Sequence, residues 1–260
     1  MLPLKTIMSV RLMQMAGFKA AFFNELYKIS KKKKVIMAAL LSLLAITIGV
    51  VAVWGINTQL GLRVAGSTKF PILVLSVLSY TLIPIFSVFV AIDLFGGEFS
   101  ANTMKITLTR TATRFQVYLA KVCAVAAFVM ANLLFIMVLS LLLGLFTGGL
   151  SADVYKVVLV YFMAFFPLFV FVLFTVMLSN IMKGSLSAFM ISVLVFIGLN
   201  VLAVLFSKYQ SFFITSMFDW HMLFLSSYIN IQKIIREFLI IISCGGMFFT
   251  AGFILFDKRD

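Results

Sequence analysis

Histidine, cysteine and acidic residues are scarce in this chain. It has 260 residues with one histidine, two cysteines and eight carboxylates. His221 stands alone, and Cys123 and Cys244 show no spacing suited to a zinc or iron–sulfur site. No Ser/His, Cys/His or paired-carboxylate constellation is present, so the pattern argues against an enzyme. A G-x-x-x-x-G-K-[ST] loop is also missing, so the chain has no familiar cradle for a nucleotide phosphate. Proline occurs only four times, which leaves long stretches free to be helical.

Charge is the other deficit. Only 11% of residues are charged and 63% are hydrophobic, with a mean hydropathy of +1.19. A soluble domain carries about 25% charged and about 45–50% apolar residues. The apolar residues fall in long continuous runs, which excludes alternating barrel strands and points to membrane-spanning helices. The net charge of +13 would suggest nucleic acid in a soluble protein. Here the cations flank apolar runs, so the expected contacts are the lipid bilayer and its anionic headgroups, not nucleic acid.

About 20 apolar residues span the hydrocarbon core as helix. Six spans satisfy this: Val35–Ile56, Pro71–Leu94, Ala120–Phe146, Val157–Ile181, Leu186–Phe206 and Phe238–Phe256. Pro84 and Pro167 predict kinks in two of them. The first run begins only at Val35 and exceeds the ~7–15 residues of a signal-peptide core, so a cleaved leader is not expected. With the N-terminus inside, fifteen of the 21 Lys and Arg residues lie on that side and six on the other. That bias predicts cytoplasmic N- and C-termini. One transmembrane domain, 35–260, follows a cytoplasmic N-terminal segment, 1–34.

The N-terminal segment has helical periodicity. Leu12, Met15, Phe22, Leu26 and Ile29 form an apolar stripe, while Gln14, Asn24, Glu25 and Lys28 fall on the other side. This predicts an amphipathic helix lying in the interface and ending at Lys31–Lys34. The external segment 207–236 is too aromatic for a solvated loop and too polar, with Lys208, Asp219 and His221, for a span. A half-inserted pair of short helices is expected, with Trp220 at headgroup depth. Asn132, Asn180 and Asn200 are the three asparagines inside spans, suited to helix packing or a substrate path, and Asp93 lies at the inner end of the second span. Gly245, Gly246, Thr250 and Gly252 predict close helix contact along the last span.

The stretch 97–121 holds four cations, one carboxylate, five threonines and a serine. Asn102 is suited to capping a short helix through Leu108. Thr113 and Gln116 form a T-x-x-Q capping box that starts the helix of the third span. The segment 96–119 therefore reads as two helical pieces joined at a basic turn, and ordered loops of this kind usually touch a partner.

Glu98, Asn102-Thr103-Met104-Lys105, Leu108, Thr109-Arg110-Thr111-Ala112-Thr113-Arg114 and Ala120-Lys121 follow one another here in a recognisable order. This order resembles that of type-2 ABC transporter permeases, the membrane subunits of ATP-binding-cassette exporters. Asn102 stands where that family has glycine, and Thr111 where it has proline. Phe23–Lys28 resembles the family's elbow helix, and Phe256–Asp260 its basic-aspartate ending.

The resemblance implies an all-α integral membrane fold of six spans with a coupling helix between spans 2 and 3. It also implies a second permease chain in a homodimer or heterodimer. ATP and Mg would sit on a separate cytoplasmic ATPase subunit, with no cofactor in this chain. Glu98, Met104, Lys105, Leu108, Arg110, Arg114, Glu25 and Lys28 are then the expected ATPase contacts. A largely apolar, weakly charged interior suits amphiphilic cargo: an antimicrobial peptide, an antibiotic or a lipid-like molecule. A membrane scaffold or sensor that moves nothing is the competing expectation.

Overall fold

A computed structural model describes residues 4–59, 69–97, 113–148, 154–182, 184–206, 214–225 and 230–258. Among them there is no strand. The helices, in order, are α1 (Leu4–Ser30), α2 (Lys33–Gln59), α3 (Lys69–Ser79), α4 (Leu82–Leu94), α5 (Arg114–Gly148), α6 (Val154–Ile181), α7 (Ser185–Leu205) and α8 (Ile231–Asp257). A 3-10 helix, Ile214–Phe224, lies between α7 and α8. Five helices are long and apolar enough to cross a membrane, and α3 with α4 makes a sixth if that bent pair is one span.

The bend is 46°. Sequence places the disturbance at Pro84, but the chain breaks one turn earlier, at Tyr80–Thr81. The physical reason is the proline ring, which collides with the carbonyl four residues before it, here Tyr80. Pro84 itself sits in the first turn of α4, where a missing N–H costs nothing. Thr81 Oγ1 donates back to the Val77 carbonyl at 2.8 Å, satisfying the end of α3. Pro167 lies within a helix that continues through it to Ile181.

α6 is the centre of the bundle. It packs against α3, α4, α5, α7, α8 and the 3-10 helix. Its inward residues include Tyr161, Ala164, Leu168, Phe171 and Val172, all in the continuous core. Tyr161 donates to the Pro71 carbonyl at 2.9 Å and pairs with Ser140 Oγ at 3.1 Å, joining α6 to α3 and α5. α2 lies at the other extreme, with Leu40, Leu44, Ile48, Val51 and Trp54 all exposed.

Small residues set the approach of α8 as expected, but only on one side. A Cβ on Gly245 would meet Val170 at 3.3 Å, and one on Gly252 would meet Tyr118 Oη at 2.6 Å. Gly246 and Thr250 face outward. The last span is longer than expected, because α8 starts at Ile231 and not at Phe238. Asn230 caps it, accepting from the Lys233 N–H at 3.1 Å. Residues 231–236 thus leave the expected half-inserted segment, of which one 3-10 helix is described.

α5 has 35 residues, about 52 Å of helix, against a hydrocarbon core of about 30 Å. Its first two turns, Arg114 to Lys121, run beside α1 and the end of α4.

Candidate functional site

The capping box starts α5 as the sequence predicts. Gln116 N–H donates to Thr113 Oγ1 at 3.3 Å, and Thr113 N–H donates to Gln116 Oε1 at 3.1 Å. Two turns on, the helix carries Lys121 inward. This ammonium is 0% exposed and donates to Glu25 Oε2 at 3.3 Å and to the Leu94 carbonyl at 3.0 Å. Its third neighbour is the face of Phe95, 6.0 Å from the ring centre. Lys28 donates to the other Glu25 oxygen at 2.9 Å.

One buried carboxylate therefore ties α1 to α5, and one buried ammonium ties both to the last residue of α4. Carbonyls at a helix C-terminus lack intrahelical partners and favour a cation, which is what Leu94 receives. Burying two charges is costly, and such a pair persists only when both ions are fully bonded. Breaking it by removing one partner costs about 3–5 kcal/mol.

A second clasp lies one helical position away. Asp93 Oδ1 accepts from Lys34 at 2.9 Å, and Lys32 approaches Oδ2 at 3.5 Å. The lysine run, read from sequence as a lipid and topology signal, thus also pins the α1–α2 joint to α4. Lys34 lies over the Phe89 ring as well, at 5.1 Å. These contacts are partly exposed, so each is weak by itself.

On the far side of α5, Arg114 bonds the Asp257 carbonyl and lies 4.0 Å from its carboxylate. Below it, Phe95, Tyr118, Phe249, Phe253 and Phe256 make an aromatic cluster of edge-on and tilted contacts between α4, α5 and α8. Tyr118 donates to the Phe249 carbonyl at 3.1 Å, and Asn180 donates to the Gly252 carbonyl at 3.1 Å. Gly96 brings α4 against Ser179 Oγ, which a Cβ would meet at 3.0 Å, and against the start of α7. Both flanks of the stretch 98–112 are thus rigidly seated.

Of the residues expected to meet a partner, Glu98, Met104, Lys105, Leu108 and Arg110 lie outside the described residues, as does the short helix from Asn102. Arg114 is exposed at the rim. Glu25, placed by periodicity on the polar face of α1, is 2% exposed and bonded within the chain, and Lys28 is its partner. The exposed face of α1 instead presents Phe23 and Tyr27.

The three span asparagines separate. Asn180 joins α6 to α8, Asn200 bonds its own helix at the Phe196 carbonyl (2.9 Å), and Asn132 is buried in α5. The structural role of Lys121 is not evident from the sequence alone. Its signal was a lysine opening an apolar run, with Glu25 the only carboxylate before Asp93.

His221 is buried and bonds the Phe218 carbonyl at 2.7 Å through Nδ1. No group of three metal-ligating side chains occurs among the described residues. Trp220, expected at headgroup depth, is buried between Phe166, Phe224 and Phe238.

The helix set is that of a polytopic α-helical membrane protein with a basic, ion-paired base. More particularly, the chain belongs to a family described as proteins of unknown function, DUF2705, whose model matches residues 35–260. No curated protein matches the sequence.

Proposed function

We propose that this chain is the permease subunit of an ABC-type exporter. It would work beside a second permease chain, with ATP and Mg held on a cytoplasmic ATPase. The observation carrying the proposal is the base of the bundle. The stretch 98–112 leaves α4 beside a buried Lys121–Glu25 pair and enters α5 through a capping box, on a helix longer than a span needs. A segment that transmits force needs rigid attachment at both ends, and this one has it.

In this reading Glu98, Lys105, Arg110 and Arg114 offer polar contacts to the ATPase, and Met104 and Leu108 apolar ones. Glu25, Lys28 and Lys121 hold the elbow helix against the loop's base, so that α1 moves with it. ATPase closure would then bias the bundle between two arrangements through its differential binding to them. The plasma membrane is the proposed location, with both termini cytoplasmic. The cargo class is amphiphilic, in keeping with spans that carry asparagine and serine but few charges.

The test is co-purification with candidate Walker-motif ATPases, followed by ATP hydrolysis in proteoliposomes. Lys105→Glu with Arg110→Glu spares the Arg114–Asp257 tie. This pair of changes is expected to abolish permease-dependent stimulation while the permease still folds. Unchanged stimulation sinks the docking assignment. A stable complex whose ATP turnover moves no amphiphile favours the scaffold instead.

A further inference from the structure

The 3-10 helix Ile214–Phe224 has 11 residues, whereas runs beyond about 3–4 are uncommon because their hydrogen bonds are poorly aligned. Side chains three apart eclipse in this geometry. Thr215, Phe218 and His221 therefore share one face, Met217 and Trp220 a second, and Asp219 and Met222 the third. Exposure follows the pattern: Asp219 and Met222 are exposed and the other five are buried.

The buried faces are polar where it matters. Thr215 Oγ1, Trp220 Nε1 and His221 Nε2 are each buried without a hydrogen-bond partner. Three orphaned polar atoms in one short helix penalise its closed position, and each would be satisfied by water if the helix lifted. Aromatic packing opposes that, with Phe218 against Tyr80, Phe171 and Phe196, and Trp220 against Phe166 and Phe238. A side-chain latch also opposes it: Tyr80 Oη donates to Asp219 Oδ2 at 2.9 Å, at the break between α3 and α4.

We propose that this 3-10 helix is a lid, latched at Tyr80–Asp219, that lifts when His221 takes a proton. Its Nδ1 already meets the Phe218 carbonyl, so a second proton must go to Nε2, which has no acceptor in the closed position. Burial lowers the imidazole's affinity for a proton below the ordinary value, with the Phe218 carbonyl and Asp219 pulling the other way. The sign follows. The open state binds the proton more tightly, so the lid is held above the ordinary histidine value near 6.5 and loosened as pH falls through it.

Other charges on the packed elements are few. The lid touches α3, α6, α7 and α8. α7 has no titratable residue. α6 brings Tyr155, Lys156 and the buried Tyr161, and α8 brings Lys233, Arg236 and Glu237, with Lys233 4.0 Å from Glu237. Just past the end of α3 stands Tyr80. The charge that acts on His221 is Asp219, on the lid itself. The lid goes beyond the permease reading and does not depend on it.

The test uses the full chain in nanodiscs. Trp54→Phe leaves Trp220 as the only tryptophan, and acrylamide quenching then reports its exposure. Quenching is expected to rise about twofold or more between about pH 8 and about pH 5, the interval bracketing the ordinary histidine value. His221→Gln, in the same background, should flatten that rise. Tyr80→Phe should raise quenching throughout while keeping its pH dependence. PH-independent quenching in the Trp54→Phe chain overturns the proposal without recourse to any His221 variant. An equal rise in the His221→Gln chain overturns it as well.

Discussion

Replacing Glu25 by methionine tests the base of the bundle most directly. The substitution keeps side-chain bulk but removes the carboxylate from a fully buried ammonium. Leaving such a charge without its counter-ion costs about 3–5 kcal/mol. Because α1 reaches α5 and α4 through this pair, the cost falls on the docking of α1. The equilibrium for its detachment should rise by about 150- to 5,000-fold.

Lys121→Met should cost less, since Lys28 still neutralises Glu25 at 2.9 Å. Changing both residues to methionine should restore most of the loss, because replacing a buried pair by packed apolar groups is often neutral or stabilising. Hydrogen exchange in nanodiscs measures this directly, comparing amides of residues 17–30 with those of α6 as a reference. A Glu25→Met chain whose α1 exchanges like wild type would refute the reasoning. So would a double variant as exposed as the single one.

Two further outcomes follow from the same contacts. Gly252→Ala drives a methyl to 2.6 Å from Tyr118 Oη, and the aromatic cluster holds that ring in place. A loss of about 1–3 kcal/mol in thermal unfolding is expected, and Tyr118→Phe in the same chain should return part of it. Asp93→Asn releases Lys34 and Lys32 from a partly exposed clasp, so the loss should be about 1 kcal/mol or less and should shrink as salt rises. A salt-independent loss would mean that Asp93 acts by other means.

Features governed by neighbours in sequence were legible from it. The spans followed from apolar runs, the start of α5 from Thr113 and Gln116, and the close approach of α8 to α6 from Gly245 and Gly252. The bend near Pro84 was legible in kind but shifted by a turn, because a proline acts on the carbonyl behind it. Long-range pairing was not legible. Glu25 and Lys121 are 96 residues apart, and periodicity placed the carboxylate on the polar face of α1. A helix wheel treats a surface as wet, whereas this surface is covered by α5. The 3-10 helix was hidden for a similar reason, since its threefold spacing of buried residues passes for the start of an ordinary helix.

The lysine run has a consequence for how the chain is made. Lys32 and Lys34 emerge from the ribosome with the start of α2, and Asp93 emerges 59 residues after Lys34. These charges, which the sequence predicts to orient the first span, are therefore engaged later, once α4 arrives and closes over them. α2 is sparsely packed along its length, so this late closure fastens it at one end. Diluting the lysines would then do damage twice, first to the direction of insertion and again to final assembly. Pulse-labelled chains should separate the two losses in time.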